Sequence, residues 1–566
     1  MLIFRLLLIS LLLSCNFESK APQKTDDVSR PSFESSKSFA DYKNPFITGA
    51  KYLEISNLKV GFSDLVFELS WDAAWRYENH YDAAWIFVKY QTANGEWQHL
   101  DLSKQGHKML QNLSQTGDKA EILVSPDQKG MIIRRANNSE GNNHWTISLA
   151  LDSDLEYQQI KVFGLEMVHV ADGPFELGTL KGERDRREVL TPGAGGAPYN
   201  PFFTYSVNAK SNYGGVFKVK SEAPIPIGKE NGKLYWIDAN IPGTNTFSGI
   251  PEGRLGAAYP KGTKGFYQMK YEMSQQEYCD FLNTLSPDQQ KTRDITNTIE
   301  FKRPIQDYRN TIRKENGQFV SSRPHRPCNF ISWLDGQAFA DWAGLRHMTE
   351  LEFEKACRGP EKAIYREYVW GVNEIQEKAN LQFCNEFSNA ARRGVASEAG
   401  QEHIDGNIHA SMFSYYNMQD VCDPKGRFYD PDCVGCRSFV GGDGGRGPVR
   451  KGIFGWSSNG SRISAGATYF GAMEMGGNLQ EPVVTVGHPS GRKFQGTHGD
   501  GELDANGNAT NPDWQPIDGA YAFAGRGGCW QFHENHARTA DRFKGLRTRE
   551  NRRASHIGFR GVRTGF

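Results

Sequence analysis

After residue 15 the chain has no apolar run long enough to cross a bilayer, which takes about 20 residues. A membrane-spanning helix is therefore excluded from that part of the sequence. Net charge is also missing: 66 Lys and Arg stand against 66 Asp and Glu. No global field recruits nucleic acid or acidic lipid. Cysteine is sparse at nine. Setting Cys15 aside leaves an even number, which permits disulfides in an oxidising compartment without assigning them. Glycine is abundant at 60 residues, and aromatic residues make up 12%. That balance predicts loop-rich structure pinned by large rings rather than long helices. A length of 566 residues suits roughly two to four domains.

The one early apolar run, Leu6 to Leu13, follows a single base, Arg5, and is closed by Ser14-Cys15. It is too short to span and reads as a signal-peptide core. Leu12-Leu13-Ser14-Cys15 resembles a bacterial lipobox, which implies cleavage before Cys15 and lipidation of its sulfur and new amino terminus. The alternative is an ordinary signal peptide ending near a cysteine. Asn16 is not the Asp that signals inner-membrane retention, so the expected location is the outer membrane of a bacterial cell envelope. Residues 15–44 are Ser, Lys, Asp and Pro with few apolar side chains, a composition that stays flexible as a tether.

Residues 45–160 carry short alternating segments, Leu58–Phe62, Leu65–Trp71, Trp85–Tyr90 and Trp145–Leu149. Gly, Asn and Asp turns lie between them. This spacing predicts an all-β sandwich whose Trp and Tyr rings fill its core. A second unit starts near Ile160. Gly164 to Gly178 reads as strand, turn, strand, and Phe266–Met273 as a strand. Ser274 with Glu277 forms a capping box ahead of a helix carrying Tyr278, Phe281, Leu282 and Leu285. Further helices are expected over residues 333–343 and from Thr349, the latter with Glu352 as its capping partner.

Four motifs come first: Met167-Val168 to Gly178, Lys270-Tyr271-Glu272-Met273-Ser274, Pro327 to Trp333 and Asp341 to Glu354. Trp370-Gly371, Gly477-Asn478-Leu479-Gln480-Glu481, Arg526-Gly527-Gly528-Cys529-Trp530 and Gly558 to Arg563 follow. Taken in order, these motifs resemble the formylglycine-generating enzyme (sulfatase-modifying factor) superfamily. The resemblance covers residues 161–566, with insertions near 179–265, 286–322 and 385–450. It implies an α+β, C-type-lectin-related fold behind the β-sandwich. That superfamily includes sulfatase-activating oxidases, iron-dependent sulfoxide synthases and binding or scaffold proteins, so fold alone does not settle function.

The resemblance implies a copper site of two thiolates, a soft donor pair suited to Cu(I). Aligned on Arg526-Gly527-Gly528, Ala537 and Arg542 stand at those positions, so the standard formylglycine mechanism and its copper are not expected. Cys529, His533 and His536 remain catalytic candidates, with His498 or His556 as further imidazoles. Surface or hydrogen-bonded histidines are the plainer reading. On a strand, His533 and His536 would point to opposite faces. Cys384, Cys422, Cys433 and Cys436 could form disulfides or a metal cluster. The resemblance also implies calcium held by Glu474, Gly477, Leu479 and Glu481, as oxygen donors suit a hard cation. Alternatively, Glu481 anchors the turn by hydrogen bonds alone. Pro482 departs from the family's Trp. Asn380-Leu381 matches part of a second calcium site. Asp504 to Asn508 reads as an Asx-rich turn. The arginines from Arg538 to Arg563 are expected mainly to tie loops together through buried ion pairs.

Two functions follow from this reading. One is a membrane-anchored binding or scaffold lipoprotein whose partner is an envelope protein or glycan, as in secretion or gliding-motility assemblies. The other is a metal-dependent oxidoreductase using Cys529, His533 or His536.

Overall fold

Nine strands come first among the described residues. They are β1 (Glu54–Val60), β2 (Asp64–Tyr77), β3 (His80–Gln91), β4 (Trp97–His99), β5 (Lys108–Asn112), β6 (Ala120–Val124), β7 (Met131–Arg135), β8 (Ser139–Ala150) and β9 (Gln159–Val170). The computed structural model describes residue 46 and residues 51–114, 117–151, 156–180, 215–228, 230, 232–234, 250, 252–375, 447–455, 460–514, 523–532, 534–542, 544–547 and 551–566. Leu65, Phe67, Leu69 and Trp71 alternate along β2 and are fully buried, as the two-residue period of a strand requires. One antiparallel layer runs β1-β2-β8-β5. At Tyr77↔His80 the chain turns into β3, which opens a second layer with β7, β6 and β9. Ala84, Ile86 and Val88 of β3 meet Trp145, Ile147 and Leu149 of β8 in the core between the layers.

The boundary expected near residue 160 falls inside a strand that serves both sides. One edge of β9 pairs with β3 from Asp82↔Val168 to Gln91↔Gln159. Its other edge pairs with Phe266–Met269. The ladder continues to Gly561–Thr564 and Arg346–His347, making a single twelve-stranded sheet. Phe39–Phe566 accordingly forms one compact unit. The physical cause lies in β3. Ala83-Ala84-Trp85-Ile86-Phe87-Val88 does not alternate with polar residues, and all six are fully buried. A strand apolar on both faces needs cover on both. Its second face, with Tyr81, Ala83, Trp85 and Phe87, packs against Leu165, Met167, Phe339 and Trp342 in the main core.

Polar groups lock this junction. Asp82 is buried, accepting from Trp71 Nε1 at 2.9 Å and Trp75 N at 3.0 Å. Lys270 Nζ lies 2.6 Å from Glu166 Oε1 and 3.8 Å from Asp82 Oδ2. Burial pushes the Asp82 carboxyl up to about 7, against the pull of Lys270. Trp85 Nε1 donates to Ala343 O at 2.8 Å, and the Arg563 guanidinium lies over the Trp85 ring at 4.4 Å. Gly130 permits this close packing: a Cβ there would sit 2.4 Å from Trp85 Cζ2.

The helices follow local sequence. Ser274 and Glu277 form the expected capping box on helix Gln275–Leu282. Thr349 and Glu352 do the same for Glu350–Arg358. Ser332 and Asp335 make a third box on Trp333–Trp342, which the sequence reading did not include. Within the 286–322 insertion, Ile299–Glu300 pairs with Arg303–Pro304 around a tight turn. Phe301 (φ 50°) and Lys302 (φ 63°) occupy left-handed conformations there. Ile299 and Phe301 are 69% and 60% exposed, and the Glu300 carboxylate accepts from Ser555 N at 2.9 Å. No helix among the described residues is long and apolar enough to cross a membrane.

Candidate functional site

The turn from Glu474 to Glu481 has three residues at positive φ: Glu474 (54°), Gly477 (91°) and Asn478 (52°). Gly477 N bonds Gly527 O, which ties the turn to the Arg526-Gly527-Gly528 segment. Asn478 Nδ2 and Leu479 N donate to the two oxygens of Glu272, at 2.6 and 2.8 Å. Glu474 Oε1 accepts from Gly452 N at 2.8 Å. Glu481 Oε1 accepts from Arg560 Nε at 2.7 Å. The remaining guanidinium nitrogens of Arg560 donate to the carbonyls of Met269, Lys270 and Met473.

This arrangement buries three carboxylates with one guanidinium in direct contact. Glu474 Oε2 and Glu481 Oε2 are buried and accept no hydrogen bond. The carbonyl oxygens of the buried residues Gly477 and Leu479 also accept none among the described residues. These are the four residues expected to hold calcium, and each has one unused oxygen. Burial pushes Glu474 up to about 7. It raises Glu481 against the opposing Arg560. Burial and the neighbouring Glu481 raise Glu272 well above the usual carboxylate range. The donor set is all oxygen, which suits a hard cation. No cluster of three or more His, Cys, Asp or Glu side chains positioned to hold a metal occurs among the described residues. A cation here would rest on two carboxylates and two main-chain carbonyls. The Asp504 turn differs, because its carboxylate is already occupied by Asn506 N, Asn508 N and Asn508 Nδ2.

Beside this turn, Gly527 and Gly528 have φ of 83° and 71°, a conformation glycine adopts without strain. A Cβ on Gly527 would lie 2.4 Å from Met475 O. Cys529 follows and is fully buried. Ala537, in the 3-10 turn Glu534–Ala537, packs into the core. Arg542 is clamped by Glu350 Oε2 at 2.8 Å and Glu354 Oε1 at 2.5 Å. Arg526 and Arg358 also pair with Glu354, and Arg358 with Glu367. Arg542 is therefore part of a buried ion network. Other tail arginines do the same work: Arg553 pairs with Asp335, Arg560 with Glu481 and Arg563 with Asp127.

His536 Nδ1 lies 3.2 Å from Asp541 Oδ2, and His556 Nδ1 lies 2.8 Å from Gln531 Nε2. Both imidazoles contact the Phe532 ring. His536 sits on a 3-10 turn, so the opposite-face geometry expected of a strand does not apply to it. His498 has other company, accepting from Thr564 N at 2.9 Å. His533, Asn380, Leu381, Cys384, Cys422, Cys433 and Cys436 lie outside the described residues. Cys279, Cys328 and Cys357 are buried thiols outside any disulfide, and burial raises all three pKa values. Glu272, which orders the turn, was missed as a site residue. Its signal is its place in the Lys270-Tyr271-Glu272-Met273-Ser274 motif, as a carboxylate between Tyr271 and Met273.

Comparison with known proteins agrees with this geometry. The sulfatase-modifying factor enzyme 1-like domain family model matches residues 240–565. Formylglycine-generating enzyme of Streptomyces coelicolor is 44% identical over 109 residues, 18% of this chain and 33% of that enzyme. Hercynine oxygenase of Mycobacterium tuberculosis is 36% identical over 86 residues, 14% of this chain and 20% of that protein. Formylglycine-generating enzyme of Bos taurus is 42% identical over 59 residues, 10% and 15% of the two chains. The alignments span a third or less of these relatives' own length. Because the family model covers more than half of the sequence, the chain belongs to the sulfatase-modifying factor enzyme 1-like domain family.

Proposed function

We propose that this protein is a calcium-stabilised binding or scaffold component of a bacterial envelope, anchored through Cys15, and that it does not act as a formylglycine-generating oxidase. The observation that carries this reading is Arg542. A guanidinium paired with Glu350 and Glu354 cannot do the work of a thiolate, and a lone Cys529 cannot rebuild a dithiolate pair. Incubation with a Cys-x-Pro-x-Arg peptide, copper and oxygen should yield no aldehyde. Turnover that disappears in Cys529→Ser would overturn this part of the reading.

The strained hairpin at Phe301 supports a binding role, since exposed apolar side chains on a disfavoured backbone are features found at recognition sites. Its partner would be an envelope protein or glycan. Cys15→Ala should leave the membrane fraction. Phe301→Ser should stay there but lose cross-linked partners. Retention of Cys15→Ala through a high-salt wash, or unchanged cross-links in Phe301→Ser, would argue against the respective role.

Calcium would be held by Glu474, Glu481 and the carbonyls of Gly477 and Leu479, supported by their four unused buried oxygens. A cation bound only in the folded state adds about 2.7 kcal/mol at 100 times its dissociation constant. Chelation should lower the melting temperature by several degrees. Calcium should restore it better than magnesium, which resists dehydration. Glu481→Ala should remove most of that response and Asp504→Ala should not. A melting curve indifferent to chelator would mean that hydrogen bonds alone hold the turn.

A second reading has one observation in its favour: His536 and His556 both pack against Phe532, beside Cys529. Stoichiometric iron or copper in purified protein, lost in His536→Ala, would support an oxidoreductase instead.

A further inference from the structure

Lys270, Asp82 and Glu166 meet in the junction between the two layers and the main core. Asp82 lies on β3 and Glu166 on β9. Lys270 follows directly on the strand Phe266–Met269, and its backbone N–H donates to Glu166 O at 2.8 Å. Ala84 stands opposite Glu166 in the β3–β9 ladder. Asp82 is two residues from Ala84 on the same strand, so Asp82 and Glu166 project from one face. All three side chains are buried. Lys270 Nζ lies 2.6 Å from Glu166 Oε1 and 3.8 Å from Asp82 Oδ2. The Trp75 and Tyr271 rings stand over the amine at 4.9 and 5.4 Å and wall it from water. Asp82 Oδ1 accepts from Trp75 N, and Asp82 Oδ2 from Trp71 Nε1. Burial pushes the Asp82 carboxyl up to about 7, which brings its neutral, more readily attacked form within reach. One amine cannot neutralise two acids, and burying charge is costly even when it is paired. Condensation of the amine with one acid removes two of those charges.

We propose that Lys270 and Asp82 condense to a side-chain amide, with Glu166 as the proton carrier. Glu166 takes one proton from the Lys270 ammonium and passes it to Asp82. The freed nitrogen lone pair attacks Asp82 Cγ, where Trp71 Nε1–H and Trp75 N–H stabilise the developing oxyanion. The C–N bond forms. The C–O bond then breaks, and the hydroxyl leaves as water with a second proton from the nitrogen, carried by Glu166. Glu166 ends as the carboxylate it began. An ammonium and a carboxylate become an amide and water, so no oxidant, reductant or co-reactant enters. Asp82 is the acyl partner because the two N–H donors sit on its oxygens. Glu166 is the carrier because its oxygen touches Nζ. Excluding bulk water protects such a reaction from hydrolysis. The product ties β3 to the strand Phe266–Met269 across β9, joining the N-terminal layers covalently to the family domain. The inference is independent of the calcium and anchoring proposals, because it uses none of their residues.

Peptide mapping of the full-length protein, unfolded in denaturant and cut with trypsin, tests it. Trypsin should no longer cleave after Lys270. Residues 77–89, which carry Asp82, and residues 265–291, which carry Lys270, should appear as one branched species, lighter than the two peptides together by one water. Fragmentation should place the branch between Asp82 and Lys270. Lys270→Arg, which keeps the positive charge, and Asp82→Ala should each give linear peptides alone. Glu166→Gln keeps the shape but cannot take a proton, and should slow branching by about a hundredfold or more. The decisive reading is made on the wild-type chain, so it does not depend on how well the variants fold. Linear peptides alone from the wild type, with full cleavage after Lys270, would overturn the proposal and leave an ion pair. So would a branch onto residues 162–181, which carry Glu166.

Discussion

A chain cut to residues 161–566 should fail to fold cooperatively, although it contains the whole family domain. Its first strand, β9, would lose the β3 ladder from Asp82↔Val168 to Gln91↔Gln159, exposing a long edge prone to aggregation. The main core would lose Tyr81, Trp85, Phe87 and Ile132. Removing one buried Phe or Trp side chain costs about 3–5 kcal/mol. A native domain has only about 5–15 kcal/mol in total, so losing several together exceeds the margin. Arg563 would also lose Trp85 and Asp127. The truncated protein should show no sharp thermal transition and should elute as aggregate. A monomeric product with a cooperative melt would mean that the N-terminal strands are an appendage. A milder form of the same test is Trp85→Ala in the intact chain, expected to cost about 3–5 kcal/mol.

Glu354→Ala should be among the most destabilising single substitutions, at about 3–5 kcal/mol. Its carboxylate is fully buried, accepts from Gly178 N at 2.7 Å and pairs with Arg358, Arg526 and Arg542. Removing it leaves three buried guanidinium groups without that common partner. Urea unfolding should show the loss, with the surface exposed on unfolding unchanged. The pH dependence has a definite sign. Burial raises the Glu354 pKa, but Arg542, Arg526 and Arg358 overcome it and hold the group below its usual value. Asp335 behaves alike, burial being outweighed by Arg553 and Arg293. For a depressed carboxylate, stability is present above the unfolded pKa, about 4, and is lost as pH falls through the folded value. The melting temperature of the wild type should therefore drop below pH about 4. Glu354→Gln should show a shallower acid limb. An identical acid limb in the two proteins would show that this network is not what acid breaks.

Much of the local structure was legible in the residues themselves. Ser274 with Glu277 and Thr349 with Glu352 cap helices through contacts three residues apart, so spacing alone predicts them. Leu65, Phe67, Leu69 and Trp71 announce one inward face by their period. The ordered motifs from Met167 to Arg563 point to the family. Only the tertiary structure decided that β9 belongs to both halves, that Asp82, Glu166 and Lys270 meet at their junction, and that Glu272 orders the turn. Nor could any spacing put Arg542 between Glu350 and Glu354. These contacts join residues far apart in sequence. Periodicity and capping report forces acting within a few residues. Which distant groups come together is set by packing the whole chain, where each buried apolar face must be covered and each buried charge must find a partner.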